Sequence, residues 1–337
     1  MRVFVTHNPE DLSVYYGRAL PMLRAIAEVV LNPSDRDLDP DELVVAAAGC
    51  QVIVAHRATP GPADLFDRLP ALVAFLRTAV DLSTVDIAAA GHAGVVVARA
   101  DKSFVASTAE LALALILDLA RNVSASTVDY RAGIQPAQRP GFQLRGKTVG
   151  IVGYGAIARY LAPALRALGV HVVVTDPHTP AAAADGFDQS SLPDLLGRSD
   201  IVVPLAASTP ETRHLIDADA LAAMRPGTYL VNVSRGELLD EVAVAAALDS
   251  GHLAGLAMDV GSAPDQRPAL ALASRPGVVA TPHLGGLTPE NADAQAASSV
   301  EQVQAMLAGE LPPRAVNSDD AHRLRSWWAA GRPVQPM

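Results

Sequence analysis

A single cysteine, Cys50, in 337 residues excludes a disulfide within the chain and any metal site built on cysteine pairs. Aromatic residues make up only 4% while half of all residues are hydrophobic, so the cores must be aliphatic, filled by Ala, Val and Leu. Basic runs are also lacking. The formal charge is −10, which argues against nucleic acid or an anionic membrane surface as partner. No apolar stretch reaches membrane-spanning length uninterrupted; the longest candidate, Leu111 to Leu119, contains Asp118 and reads as a buried helix. Met1-Arg2-Val3-Phe4-Val5 runs directly into a strand-like pattern, so no secretory leader is expected. A reducing cytoplasm suits the lone thiol, and no metal is expected. The length suffices for two domains with separate cores.

What is present is organised around Thr148 to Pro177, TVGIVGYGAIARYLAPALRALGVHVVVTDP. Val149 to Val152 is a short β-branched run that ends at Gly153-Tyr154-Gly155, where the backbone must turn sharply. A helix follows, with Ile157, Leu161, Leu165 and Leu168 on one face and Gly169 as its stop; Val170 to Thr175 is a second strand ending in Asp176. A dinucleotide would give each part a task. Gly153 permits the turn, Gly155 lets the backbone approach a pyrophosphate lying on the free N–H groups of Ala156 and Ile157, and Ala158 takes the third small-residue position. Asp176 stands where an acid accepts hydrogen bonds from the adenosine ribose and repels a 2′-phosphate, which favours NAD(H) over NADP.

Along the chain, apolar runs alternate with helical patterns. Strands are expected at Val3 to Thr6, Val52 to Ala55, Leu72 to Leu76 and Val95 to Ala98, and helices at Leu12 to Val29, Pro40 to Ala48 and Val85 to Ala90. That rhythm predicts a parallel sheet covered on both faces, and no turn in this first lobe carries paired glycines. Phe104 to Asn122 reads as one long helix that Ser107 or Thr108 could cap, and Val128 to Leu144, with two prolines and two glycines, as an irregular arm. Beyond Asp176 come helices at Leu192 to Gly197, Asp217 to Met224 and Glu241 to Ser250. Strands are expected at Ile201 to Leu205, Tyr229 to Val233, Leu256 to Val260 and Val278 to Ala280. A last long helix, Pro289 to Leu307, returns to the first lobe. The polar tail from Asn317 carries Trp327-Trp328, whose packing partner the sequence leaves open.

Ligands of open parallel sheets bind beyond the carboxyl ends of the strands. That rule selects Asn232-Val233-Ser234-Arg235-Gly236, then Asp259, then Thr281-Pro282-His283-Leu284-Gly285-Gly286. Arg235 offers a planar fork for a carboxylate and His283 exchanges a proton near neutral pH. Singly, each has an ordinary reading, as a surface ion-pair residue and a capped loop histidine. Together at strand ends they describe carbonyl reduction beside a carboxylate.

The chain resembles the D-isomer-specific 2-hydroxyacid dehydrogenases over nearly its whole length, through TAELALALILDLAR, GKTVGIVGYGAIAR with Asp176, TPETRHLI, LVNVSRGELLDE, Met258-Asp259-Val260 and ATPHLGGLTPE. The resemblance implies two doubly wound parallel-sheet domains. One is a flavodoxin-like substrate domain made of residues 1–103 and 292–337. The other is a Rossmann NAD-binding domain at 104–291, with a homodimer formed through an arm at about 106–145. It implies that Arg235 binds the substrate carboxylate and 2-oxo group, that His283 is the acid/base, that Asp259 faces the nicotinamide amide, and that backbone groups at Thr78, Ala79 and Val80 hold the carboxylate. The cofactor set then comprises Gly153, Tyr154, Gly155, Ala156, Ile157, Asp176, Val233, Ser234, Asp259, His283 and Gly285.

Three departures stand out. The family's glutamate, which pairs with the histidine and raises its pKa, is Ala263 here, in a segment one residue shorter. Either Asp265 substitutes, or His283 works unassisted, or the reaction is lost. Ala207 stands where relatives often carry proline, and Val80-Asp81-Leu82-Ser83 replaces the family's glycine-rich substrate loop. Arg57 and Arg77 are further candidates to reach the substrate. The expected activity is hydride exchange between NAD(H) and a small 2-oxo acid or D-2-hydroxy acid. The alternative is an NAD(H)-binding regulatory or scaffold protein on the same fold, as related transcriptional corepressors exemplify, and formate or phosphite oxidation lacks its loop signatures here.

Overall fold

The computed structural model describes residues 1–179, 185–263 and 265–331; Pro264 and the end of the expected substrate domain, 332–337, lie outside them. Contacts divide the chain into one unit of Met1–Ser103 with Pro289–Met337 and a second of Phe104–Thr288.

The first unit holds five parallel strands, β1 (Arg2–Val5), β2 (Glu28–Leu31), β3 (Val52–Ala55), β4 (Ala74–Arg77) and β5 (Val96–Ala98), in the order β2-β1-β3-β4-β5. This is the flavodoxin-like winding, whose switch point lies between β1 and β3. Successive residues alternate between faces. Val3 and Val5 join a cluster with Leu23, Val300, Val303 and Leu324, while Phe4 joins Leu43, Phe66 and Phe75 on the opposite face. Both faces are therefore apolar, and the strands read as continuous β-branched runs.

The second unit holds β6 (Thr148–Val152), β7 (His171–Thr175), β8 (Asp188–Gln189), β9 (Ile201–Pro204), β10 (Thr228–Asn232), β11 (Leu253–Met258) and β12 (Val278–Ala280). All pair in parallel, in the order β8-β7-β6-β9-β10-β11-β12. This is the Rossmann order with a seventh strand added. The helices Phe104–Arg121 and Ala156–Ala167 cover one face through Ala112, Ile116, Leu161 and Leu165. Leu195, Leu221 and Val244 cover the other. Among the described residues no helix is long and apolar enough to cross a membrane.

Several expectations need correction. The helix expected over Leu12 to Val29 ends at Ile26, because Val29-Val30 pairs as a sheet edge, Val29 opposite Val3, with the Glu28 N–H on Met1 O at 3.0 Å. The β-branched pair gains more from the ladder than from a helix that crowds both side chains. Ser107 and Thr108 lie inside the long helix, which begins at Phe104, so they do not cap it. The arm is helical over Val123–Arg131 and loses regularity only after Gly133, at φ 74°. The tail forms a helix, His322–Ala329, that buries Leu324 completely and packs both tryptophans on their own unit, with Trp328 Nε1 donating to Met306 O at 2.8 Å. Arg323 adds hydrogen bonds to the carbonyls of Phe66, Leu69 and Leu72.

Replacing Leu324 with Ala should destabilise the first unit by about 2–5 kcal/mol, the usual cost of such a cavity. A urea titration followed by tryptophan fluorescence measures it, and an unshifted midpoint would show that the terminal helix docks without contributing to the core.

Candidate active site

The glycine turn is built for close approach. Gly153 has φ 99°, and a Cβ there would stand 2.7 Å from the backbone N of Ala206, so no other residue fits. Gly155 is the N-cap of Ala156–Ala167 with no side chain bonding to the helix N-terminus, and a Cβ on it would meet nothing within 4 Å. Free N–H groups under open space are what a pyrophosphate requires. Asp176, at the end of β7, accepts from the N–H of Tyr154 at 2.7 Å and of His178 at 2.8 Å. Burial works to raise its pKa, but these backbone donors outweigh burial and hold it below the ordinary value. The carboxylate thus keeps its charge and ties the glycine turn to the neighbouring strand end. The Tyr154 side chain is buried and donates to Asp185 at 2.8 Å.

On the other side of β6, three adjacent strands end level, Asn232 pairing with Met258 and Met258 with Ala280. Arg235, Asp259 and His283 follow those ends. Asn232 sets the first turn: its amide donates to Arg235 O at 2.8 Å and its carbonyl accepts from Ser234 N at 3.0 Å. Ser234 donates to Ala206 O at 2.9 Å, and Val233 is buried below. Arg235 is half-buried, its guanidinium resting on Ser234 O at 2.8 Å. Asp259 is 1% exposed and accepts from the Thr281 hydroxyl at 2.5 Å and from the N–H groups of Leu284 and Gly285 at 2.7 and 2.8 Å. His283 sits between those partners, half-buried, at φ 62°.

The segment carrying Ala263 closes on itself. Gln266 N–H donates to Ala263 O at 2.7 Å and Gly261 N–H to Gln266 O at 3.0 Å. Asp265 is exposed and accepts from the Arg267 N–H at 3.1 Å, with the Arg267 guanidinium 3.8 Å away.

In the first unit the sheet edge after β1, β3 and β4 carries its own polar group. Thr78 donates its N–H and hydroxyl to Ala55 O at 2.9 and 3.1 Å, which fixes the start of the turn that carries Ala79 and Val80. Arg77 is buried, its pKa lowered by burial to about 10. It donates to the carbonyls of His56, Arg57 and Thr59 and to Thr84 Oγ1, and so holds the loop after β3 in shape. Arg57 on that loop is exposed, and among the described residues its guanidinium enters no hydrogen bond or ion pair. The His7 and His56 rings lie 5.0 Å apart, tilted by 57°, with His56 Nδ1 3.5 Å from Asp11. Asp11, Asp37 and His56 bring ligand atoms within 4.8 Å of one another, but the Asn8 amide already bridges the two carboxylates, at 2.9 and 3.3 Å.

Asn232, the last residue of β10, and Thr281, the first past β12, lie in the strand-end segments read from the sequence but carried no role of their own there; His7 and His56, each one or two residues past a strand of the first unit, were not singled out. The arrangement as a whole defines an α/β protein whose glycine turn takes a dinucleotide and whose last strand ends present a guanidinium and an imidazole.

Residues 113–285 match the model of the D-isomer specific 2-hydroxyacid dehydrogenase, NAD binding domain. The chain is 39% identical over 286 residues to D-3-phosphoglycerate dehydrogenase of Mycobacterium leprae, covering 83% of this chain and 54% of that one. It is 36% identical over 276 residues to (S)-sulfolactate dehydrogenase of Chromohalobacter salexigens, covering 80% and 88%. The crystal structure of TT0316 protein from Thermus thermophilus superposes with a TM-score of 0.82 at 32% identity, over 94% of this chain and all of that one. The chain belongs to the D-isomer specific 2-hydroxyacid dehydrogenase family, whose cofactor is NAD(H). It spans about half the length of the phosphoglycerate dehydrogenases it matches.

His7 yields a prediction independent of activity. Burial, with a smaller effect from His56, pushes its pKa down to about 3 from 6.5. The folded protein therefore refuses a proton that the unfolded chain accepts, and stability is lost as pH falls from 6.5 towards 3, by on the order of 4–5 kcal/mol across that window. His56, also lowered by burial, acts in the same direction. In His7→Gln the acid limb of a stability–pH curve, measured by denaturant titration, should flatten; an equally steep limb would place the protonation elsewhere.

Proposed function

We propose that the protein is an NAD-dependent oxidoreductase that interconverts a small 2-oxo acid and its 2-hydroxy acid. The observation that carries the reading is the placement of Arg235 and His283 after the level ends of the two strands that flank β11, in a domain of the NAD-binding family. The bound nicotinamide supplies or accepts the hydride at C2. Arg235 holds the carboxylate and polarises the 2-oxo group with its planar fork. His283 donates a proton to the oxygen as charge develops there, and takes it back in the oxidative direction. Within the first unit, Ala79 and Val80, on a turn that Thr78 fixes, offer backbone N–H groups of the kind that hold a carboxylate. Asp176 carries the preference for NADH over NADPH, because a charged carboxylate repels a 2′-phosphate. Asp265, exposed and bonded to Arg267, supports a His283 that works without that carboxylate.

The substrate carries a second anionic group. Two relatives are named for 3-phosphoglycerate and sulfolactate, acids with a phosphate or sulfonate beside the carboxylate, and Arg57 offers an uncommitted guanidinium on a loop that Arg77 holds in shape. A homodimer through the arm in a cytoplasmic setting belongs to the same reading. Its support is the exposure of Val123, Val128, Tyr130 and Ile134, each more than half accessible.

Oxidation of NADH and NADPH should be followed with glyoxylate, pyruvate, hydroxypyruvate and the 2-oxo counterparts of 3-phosphoglycerate and sulfolactate. His283→Ala should lower kcat by roughly 10²-fold or more. Turnover at the wild-type rate would remove the histidine from the chemistry, and NADH binding without turnover of any acid would favour the regulatory or scaffold alternative. Arg57→Ala should raise KM for the doubly anionic acids by roughly 10–100-fold, the worth of a hydrogen bond between charged groups, and leave KM for glyoxylate unchanged. An equal rise for both would assign Arg57 to the shared carboxylate.

A further inference from the structure

His283 adopts a left-handed backbone conformation at φ 62°, which costs a residue with a Cβ on the order of 1–3 kcal/mol and persists only where its surroundings over-determine it. The surroundings here converge on one side chain. Thr281 continues the ladder, its N–H on Met258 O at 3.0 Å, and the His283 N–H then turns back to Thr281 O at 3.0 Å. Thr281, Leu284 and Gly285 all donate to the carboxylate of Asp259, so the chain is tied to that side chain on both sides of the histidine. Gly285 completes the approach: a Cβ on it would stand 3.1 Å from Asp259 Oδ2 and 3.3 Å from Thr108. A buried carboxylate just past the end of β11 is well suited to this work, because its two oxygens accept from several donors at once.

We propose that Asp259 and Thr281 form a positioning clamp that holds His283 in its left-handed conformation and thereby aims the imidazole at the reacting oxygen. This goes beyond the expectation that Asp259 serves the nicotinamide amide. Three of the roughly four lone-pair positions of a carboxylate are committed to the histidine loop, and Thr281 has no assigned contact with cofactor or substrate. Thr281 is therefore a positioning residue that acts through His283. The inference rests on the acid/base role given to His283 above.

Thr281→Val removes the hydroxyl donor and keeps the side-chain shape, and Thr281→Ala serves if that variant does not fold. The expected result is a fall in kcat on the order of 10-fold, since a displacement approaching 1 Å costs up to about 100-fold. The dissociation constant for NADH should stay within a factor of two by fluorescence titration, and Thr281→Ser should restore kcat. Wild-type kcat in Thr281→Val would overturn the clamp, as would a loss matched by weaker NADH binding or one that serine fails to rescue. A second readout separates this proposal from the reading it rests on. The ring resonances of His283, assigned by comparison with His283→Ala, should shift or broaden in Thr281→Val whether or not the histidine is catalytic. Unchanged resonances would overturn the clamp. Wild-type turnover in His283→Ala with shifted resonances in Thr281→Val would overturn the acid/base reading and leave the clamp standing.

Discussion

The second unit depends on a carboxylate that three donors have taken out of water. Asp259 stands at the end of β11, between the strand that delivers Arg235 and the strand that delivers His283, and its hydrogen bonds reach the loop after β12. Parallel ladders bring strand ends level but leave the loops beyond them undetermined. A buried anion fixes such a loop because leaving it unsatisfied would cost several kcal/mol, so alternative arrangements of 281–285 are penalised. The geometry of the histidine is thereby coupled to the integrity of the sheet.

The glycine turn obeys the same logic. There both donors are backbone N–H groups, and Asp176 accepts from Tyr154 on the turn and from His178 beyond its own strand. One acid braces the glycine turn and another the loop after β12, and each sits one residue past a parallel strand. Neither needs a long side chain, because the ladder already places its Cα within reach of the neighbouring loop.

The winding of both sheets was legible in the sequence because buried parallel strands are continuous β-branched runs separated by helical spacing, and the glycine turn declared the dinucleotide fold. The edge strand β2 was not, since Ile26-Ala27-Glu28-Val29-Val30-Leu31 carries helical spacing and β-branching together, and only pairing with β1 decides between them. Trp327 and Trp328 posed a similar difficulty: an amphipathic terminal helix is indistinguishable from a polar tail until Met306 O and Leu324 show where it docks. For the site, residue types and strand ends located Arg235, Asp259 and His283. Partnership was invisible, because Thr281 and Asp259 are 22 residues apart and the register of β11 with β12 brings them together.

The arginines of the first unit show the same dependence on surroundings. Arg57 and Arg77 were equivalent candidates as residue types, and the fold separates them. Arg77 closes a strand in the middle of the sheet, paired with Ala55, so its side chain meets the carbonyls of the loop after β3 and is consumed by them. A buried guanidinium without such acceptors would cost more than the fold could bear, and the several carbonyls it gathers are the condition of its burial. Arg57 lies on the loop so gathered and stays in water. Arg77 therefore holds in shape the loop that presents Arg57 to solvent. Two residues of one type thus stand in opposite environments on this edge, and their surroundings, not their identities, decide which guanidinium faces water.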